Sequence, residues 1–170
     1  MTESSREVDA LISIQRVLLD APGILPAART LSRFGEHSLG WLGLSAAGAA
    51  ADKRRRRQWL ALGAAAFTSH AASVAIKRVV RRERPHDPRI TVGVGTPSRL
   101  SFPSSHATST TAALVSLADL TGSRWPLAGV PVMMASRMVL GVHYPTDVLA
   151  GAALGAATAK VVKEVERRIA

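Results

Sequence analysis

Five apolar segments separated by clusters of basic residues constrain this chain most. They span residues 38–51, 58–76, 107–120, 125–142 and 148–162, and two approach the ~20 residues that a membrane-spanning helix needs. A single short segment would fit the buried helix of a soluble protein, but the succession favours a membrane bundle. A soluble Ala-rich helical bundle is the alternative.

Aromatic and small residues support the membrane interpretation. Trp59 and Trp125 each open a segment and Tyr144 follows one, where amphipathic rings would lie at the lipid headgroups. GAALG at 151–155 has the GxxxG spacing that lets helices approach closely, within one chain or between two copies of a homo-oligomer.

The N-terminal part is predicted to be an amphipathic helix and a linker, residues 1–34. Its apolar residues lie among charges, and APGILP at 21–26 breaks the helix. The expected fold class is therefore all-α: a six-helix membrane bundle, with one amphipathic helix and about five short transmembrane helices. The chain, residues 1–170, reads as a single domain and a multi-pass protein of the cell membrane.

The net charge of +10 by itself suggests either nucleic acid or an anionic membrane surface as a partner, and the distribution of the cations favours the lipid bilayer. The cations form clusters, KRRRR at 53–57 and KRVVRRER at 77–84, that alternate with apolar runs instead of interleaving with aromatic residues. The chain has no Cys, which excludes a disulfide framework, a thiolate metal site and a cysteine nucleophile.

If the apolar segments span, their ends alternate between two faces, and one face collects the groups capable of acid–base or anion chemistry. FPSSHATSTT at 102–111 resembles a helix start, whose free N–H groups bind anions. The spacing places Lys77 and Arg84 on one side of a helix. This face carries Lys77, Arg84, Ser104, Ser105, His106, Arg137, His143 and Asp147.

The stretch from Arg137 to Asp147 predicts a catalytic pair. Pro145 readily begins a helix, so Asp147 can fold back toward His143 and fix the tautomer of its imidazole. Two histidines, a carboxylate and three cations suit nucleophilic transfer of a phosphoryl group. One histidine attacks, the other protonates the leaving oxygen, and the cations hold the phosphate.

The combined pattern resembles a known family. K77-x6-R84-P85, P103-S-S-H106 and S136-R137-x5-H143-x3-D147 look like the three-part motif of the type 2 phosphatidic acid phosphatase (PAP2) superfamily, which includes membrane lipid phosphatases and soluble vanadium haloperoxidases. The motif covers residues 77–147.

The resemblance implies a role for each residue. His143 would form a phosphohistidine, Asp147 would orient it, and His106 would be the general acid. The resemblance also implies a metal-independent phosphatase without a cofactor or a bound metal. The phosphate would be held by Lys77, Arg84, Arg137, Ser104 and the backbone N–H of Ser105.

The chain departs from the family at one position, because Ser105 stands where the family usually has Gly. Arg78, Arg81 and Arg82 are extra cations that could contact a second phosphate or lipid headgroups. His70 matches no family position and is interpreted as a core histidine bonded to a neighbouring helix.

The implied substrate is a lipid-linked phosphate. A short chain rich in Ala and Arg is similar to actinobacterial members that act on decaprenylphosphoryl-5-phosphoribose in cell-wall arabinan synthesis. A polyprenyl diphosphate, phosphatidate or phosphatidylglycerol phosphate is the alternative substrate. A vanadate-dependent haloperoxidase and a non-catalytic module that binds anionic lipid are the alternative functions.

Overall fold

The structure is a computed structural model that describes residues 3–169, with the side chains of residues 5–169. Within this part the chain is helical, and short 3₁₀ turns at Glu36–Ser38, Lys53–Arg55 and Trp125–Ala128 join some of the helices. The helices are α1 (Glu3–Leu18), α2 (Ile24–Gly35), α3 (Leu39–Ala51), α4 (Arg56–Val80), α5 (Ser105–Thr121), α6 (Gly129–Val139) and α7 (Pro145–Arg168).

The all-α bundle is confirmed, and each of the five apolar segments coincides largely with one helix, α3 to α7 in order. The stretch expected as a linker is also helical, because Gly23 ends the break in a left-handed conformation (φ 84°) and α2 begins at the next residue. Pro26 lies in the first turn of α2, where the N–H that proline lacks has no partner within the helix.

Helix α5 lies at the centre of the bundle and packs against α4, α6 and α7. It is buried although it is rich in Ser and Thr, because these hydroxyls donate to carbonyls one turn earlier in the helix. Thr108 Oγ1 is 2.8 Å from the Ser104 oxygen, and Ser109 Oγ is 3.1 Å from the Ser105 oxygen. Thr110 instead accepts from the indole of Trp41 at 3.1 Å.

The glycines of GAALG are used inside the chain. A Cβ on Gly151 would lie 2.7 Å from the backbone oxygen of Ser104, and one on Gly155 would lie 2.2 Å from that of Thr108. The two helices therefore touch backbone to backbone. Pairing of two copies would have to use another surface.

The outer surface of the bundle exposes large apolar side chains. Phe67, Trp125 and Val161 have exposed fractions of 59%, 85% and 63%. Among the described helices, the 28 residues Lys53–Val80 have the length and mean hydropathy, 1.4, of a membrane span. Large exposed apolar areas are typical of surfaces that contact lipid or a partner.

Two connections bring the polar residues together. Helix α4 ends at Val80, because Arg81 adopts a left-handed conformation (φ 54°). Arg84 is therefore on the following extended segment, and its predicted place on one helix with Lys77 is wrong. Helix α6 ends at Val139, and Gly141 (φ 68°) turns the chain back where a Cβ would lie 2.4 Å from a backbone oxygen.

Candidate active site

A cavity of about 270 Å³ opens where α2, α4, α5, α6 and two loops meet. It contains six of the eight side chains that the sequence places at the site. Asp147 and Ser104 lie behind its wall, and both are fully buried. The six that line the cavity are Lys77, Arg84, Ser105, His106, Arg137 and His143.

His143 follows α6 in the turn before α7, and Arg84 covers its ring. Arg84 Nη1 is 3.2 Å from His143 Nε2 and 2.7 Å from the Val142 carbonyl oxygen. Burial lowers the pKa of Arg84 to about 10, so the guanidinium stays protonated at neutral pH and can only donate. His143 Nε2 must therefore be the acceptor, and the ring proton is on Nδ1.

The surroundings of His143 favour the neutral form of its imidazole. Burial first, and then the neighbouring cations Arg137 and Arg84, hold its pKa well below its usual range. Its side chain is 2% exposed. A neutral ring with a lone pair on Nε2 is the form that can attack phosphorus.

Asp147 lies in the first turn of α7, directly behind His143. Its Oδ2 is 3.6 Å from His143 Nδ1, which is longer than a hydrogen bond, and Nδ1 has no other partner within residues 5–169. The same Oδ2 accepts from the backbone N–H of Tyr144 at 2.8 Å. The fold thus brings the predicted pair together, with about 0.6 Å still to close to a normal hydrogen-bond length.

Arg82 holds the second oxygen of Asp147. Its Nη1 is 3.0 Å from Asp147 Oδ1 and 2.7 Å from Thr146 Oγ1, and its guanidinium lies over the Tyr144 ring, 4.2 Å from the centroid. The prediction that Arg82 could reach a second phosphate or lipid headgroups is wrong, because its side chain is committed to these contacts.

Glu7 of α1 completes this cluster. It accepts from Arg82, and its Oε1 accepts from Thr146 Oγ1 at 2.6 Å and from Thr146 N at 3.2 Å. Although partial burial acts to raise the pKa of Glu7, the hydrogen bonds from Thr146 and Arg82 hold it below its usual value. We call Glu7, Arg82, Thr146 and Asp147 the carboxylate clamp.

Arg137 and Lys77 both line the cavity, but they differ in whether their N–H donors already have hydrogen-bond partners. Arg137 is 2% exposed, donates to Ser32 Oγ at 2.8 Å, and has a buried Nε without a partner in the described residues. Lys77 Nζ lies 3.3, 2.9 and 2.6 Å from the carbonyl oxygens of Leu100, Ser101 and Pro103. Arg137 therefore has a donor to offer, whereas a phosphate would have to replace a carbonyl at Lys77.

Ser104 and Ser105 are adjacent at the start of α5, but their side chains make different contacts. Ser104 is the N-cap, and its Oγ accepts from the Ala107 N–H at 3.4 Å, so its side chain serves the helix and does not line the cavity. Ser105 lines the cavity, and its Oγ is 2.8 Å from Ser73 Oγ. As the first residue of α5, Ser105 has a backbone N–H with no acceptor inside the helix.

His106 lies one position further along α5. Its Nε2 is 2.9 Å from the carbonyl oxygen of Ser32 and 3.9 Å from Glu36 Oε2. A carbonyl can only accept, so Nε2 carries a proton.

Among the cavity-lining residues that sequence reasoning missed are Ser32, Glu36, His37 and His70. Ser32, Glu36 and His37 come from the N-terminal region, where no local sequence pattern indicates a binding or catalytic site. His70 faces the cavity, and its buried Nδ1 has no hydrogen-bond partner in the described part of the chain. The predicted bond to a neighbouring helix is not found there.

Comparisons with known proteins agree with this arrangement. A family model described as PAP2 superfamily matches residues 58–169. A decaprenylphosphoryl-5-phosphoribose phosphatase of Mycolicibacterium smegmatis is 62% identical over 152 residues, covering 89% of this chain and 84% of that protein. A protein of the same name from Mycobacterium tuberculosis is 55% identical over 159 residues, covering 94% of this chain and 90% of that protein.

Two solved structures share the fold. A transmembrane PAP2 type phosphatidylglycerolphosphate phosphatase from Bacillus subtilis has a TM-score of 0.71 and 22% identity, covering 99% of this chain and 89% of its own. LpxE of Aquifex aeolicus has a TM-score of 0.75 and 17% identity, covering 92% and 93%. The family match and the relatives above 50% identity show that the chain is a phosphatase of the PAP2 superfamily.

Proposed function

We propose that this chain removes the 5-phosphate of decaprenylphosphoryl-5-phosphoribose through a phosphohistidine on His143. The identity to two relatives of that name supports the substrate. The observation that carries the chemistry is the cavity, where a neutral imidazole, a second histidine and three cations face one another. The apolar outer surface supports a multi-pass protein embedded in the cell membrane.

In the first step the substrate phosphate displaces Arg84 from His143. The Nη1 hydrogen bond moves from Nε2 to a phosphate oxygen, which neutralises charge and exposes the attacking lone pair. Arg137 Nε gains an acceptor in the same event. Binding of the phosphate and exposure of the nucleophile are therefore coupled.

His143 Nε2 then attacks phosphorus, and the bond from phosphorus to the sugar oxygen breaks. The dianionic phosphate offsets the charge of the neighbouring cations, so His106 is an imidazolium in the complex. It gives a proton to that oxygen, which leaves as an alcohol, and His106 becomes a neutral base. Asp147 stabilises the cationic phosphohistidine through Nδ1–H as the 3.6 Å separation closes. In the second step water attacks phosphorus, the N–P bond breaks, His106 takes the water proton, and inorganic phosphate is released.

The test is phosphate release from detergent-solubilised protein in the presence of EDTA. The panel contains decaprenylphosphoryl-5-phosphoribose, a polyprenyl diphosphate, phosphatidate and phosphatidylglycerol phosphate. We expect the phosphoribosyl lipid to give the highest kcat/KM. His143→Ala should abolish phosphate release, and it should also abolish the acid-labile phosphohistidine that can be trapped on the wild-type protein. Equal activity of His143→Ala, or loss of wild-type activity with EDTA, would exclude the mechanism.

A further inference from the structure

The cavity extends beyond the phosphate-binding cations to a second polar wall. Glu36, His37 and His70 line this side, which the turn between α2 and α3 and the middle of α4 provide. None of these side chains is needed to hold a phosphate or to form a phosphohistidine. We call these three residues the hydroxyl wall.

The hydroxyl wall adjoins His106. Gly35 makes this possible, because a Cβ at that position would lie 2.6 Å from His106 Cδ2. The close approach places Glu36 Oε2 3.9 Å from His106 Nε2. Since His106 Nε2 delivers its proton to the leaving oxygen, the group attached to that oxygen must lie beside Glu36.

The backbone of this turn is strained. His37 (φ 47°, ψ 25°) and Ser38 (φ 62°) are consecutive non-glycine residues in the left-handed region. Such conformations cost about 1 kcal/mol or more each and persist where the surrounding structure holds them, often at ligand-binding positions. Ser38 is fully buried, so the packing around it holds this turn between α2 and α3 in place.

The hydroxyl wall also contains polar atoms that have no short hydrogen bond to another described residue. The His37 and His70 rings lie 6.1 Å apart between centroids, and His37 Nδ1 is 3.6 Å from Glu36 Oε1. The buried Nδ1 of His70 has no hydrogen bond to any described residue. A carboxylate and two imidazoles supply both acceptors and donors in the same cavity as the phosphate-binding cations.

We propose that Glu36, His37 and His70 bind the ring hydroxyls of a sugar that carries the phosphate, an inference that rests on the proposed function. A carboxylate accepts hydrogen bonds from sugar hydroxyls, and imidazoles complete the set. An unsubstituted alkyl chain would leave these polar groups unpaired, which a site built for hydroxyls penalises. Selectivity for a sugar phosphate over a simple alkyl phosphate then follows.

The same wall disfavours a diphosphate. A second phosphate on the leaving side would lie against the Glu36 carboxylate, and like charges at short range repel. Arg78, next to Lys77 on α4, is a further cation in the lining. It can pair with the phosphodiester that joins the sugar to the lipid, which is separated from the 5-oxygen by the whole ring.

The experiment compares octyl ribofuranoside 5-phosphate with its 2,3-dideoxy analogue, which keeps the same leaving oxygen and lacks the ring hydroxyls. We measure kcat/KM for both substrates with wild type, Glu36→Ala, Glu36→Gln and His70→Phe. Glu166→Gln on the opposite end of the bundle is the matched carboxylate control. Elution in detergent and the unfolding midpoint establish that each variant is folded.

We expect wild type to favour the hydroxylated substrate, and Glu36→Ala to reduce that preference about tenfold or more, which corresponds to about 1.4 kcal/mol. Glu166→Gln should keep the preference. An equal loss on both substrates would overturn the hydroxyl wall and assign Glu36 to His106 alone. Absence of hydrolysis of either substrate by wild type, with no difference from His143→Ala, would instead refute the proposed function.

Discussion

Replacing Arg82 by Ala should slow the chemical step by removing one of the groups that hold Asp147. The Asp147 side chain is 0% exposed, and Arg82, 26% exposed, donates to its Oδ1 at 3.0 Å. A hydrogen bond to a charged group contributes about 1.5–3 kcal/mol. The partial exposure of Arg82 favours the lower end, which corresponds to a roughly tenfold decrease in rate.

The decrease should fall on kcat and leave KM nearly unchanged. Arg82 does not line the cavity, whereas in the proposed mechanism Asp147 stabilises positive charge that develops on His143 only during the reaction. Single-turnover trapping of the phosphohistidine measures this step directly. Arg82→Lys should recover part of the rate, because it restores the charge without the guanidinium fork, whose Nη1 contacts Asp147 and Thr146 and whose Nη2 contacts Glu7.

Arg89→Ala is the matched control. Arg89 also pairs with α1, because its Nη1 lies 3.5 Å from Asp9 Oδ1. Its side chain is 56% exposed, and its ion pairs are with Asp9 and Asp87 and not with Asp147. We expect wild-type kcat from this variant. If Arg82→Ala formed the phosphohistidine at the wild-type rate, or if Arg89→Ala slowed it equally, the carboxylate clamp would have no catalytic effect.

Three further predictions concern packing and pH. Gly35→Ala should displace the His106 ring, so kcat should fall more for alkyl phosphates than for p-nitrophenyl phosphate, whose leaving group needs no acid; equal losses would contradict this. Because the pKa of Glu7 is lower in the folded protein, its stabilising contribution should begin to decline as the pH falls below about 4.3 and should be lost as the pH passes the lower folded-state pKa. The protection of α1 against hydrogen exchange should fall over this range in wild type but change little in Glu7→Gln. Gly155→Ala, 2.2 Å from a backbone oxygen of α5, should reduce the free energy of unfolding by about 1–3 kcal/mol, whereas Gly43→Ala, with nothing within 4 Å, should not.

The parts of the site that the sequence predicts well depend on short spacings. Pro145 begins α7 as expected, and the four-residue separation of His143 from Asp147 places the carboxylate behind the ring. The helix start at Ser105 follows from the Ser104 cap in the same way. Local backbone geometry places these residues, and the distant contacts of Arg82 then hold the carboxylate.

The parts that the sequence does not predict depend on contacts between distant segments. Arg81 ends α4 in a left-handed conformation that Gly or Asn would indicate and Arg does not, so the sequence wrongly predicts that the helix continues to Arg84. The partners of Arg82 and the approach of Glu36 to His106 come from α1 and α2. The spacing of residues within one helix carries no information about which other helix it meets.

The carboxylate clamp also affects how the protein is made. Glu7 and Thr146 are 139 positions apart, so this contact has to close a loop of most of the chain. During synthesis Glu7 of α1 can pair with Arg82 once the segment after α4 is made, but the clamp lacks Thr146 and Asp147 until the beginning of α7 is complete. Catalytic competence should therefore be acquired in one late step, and chains that stop before α7 should accumulate as folded helices without activity.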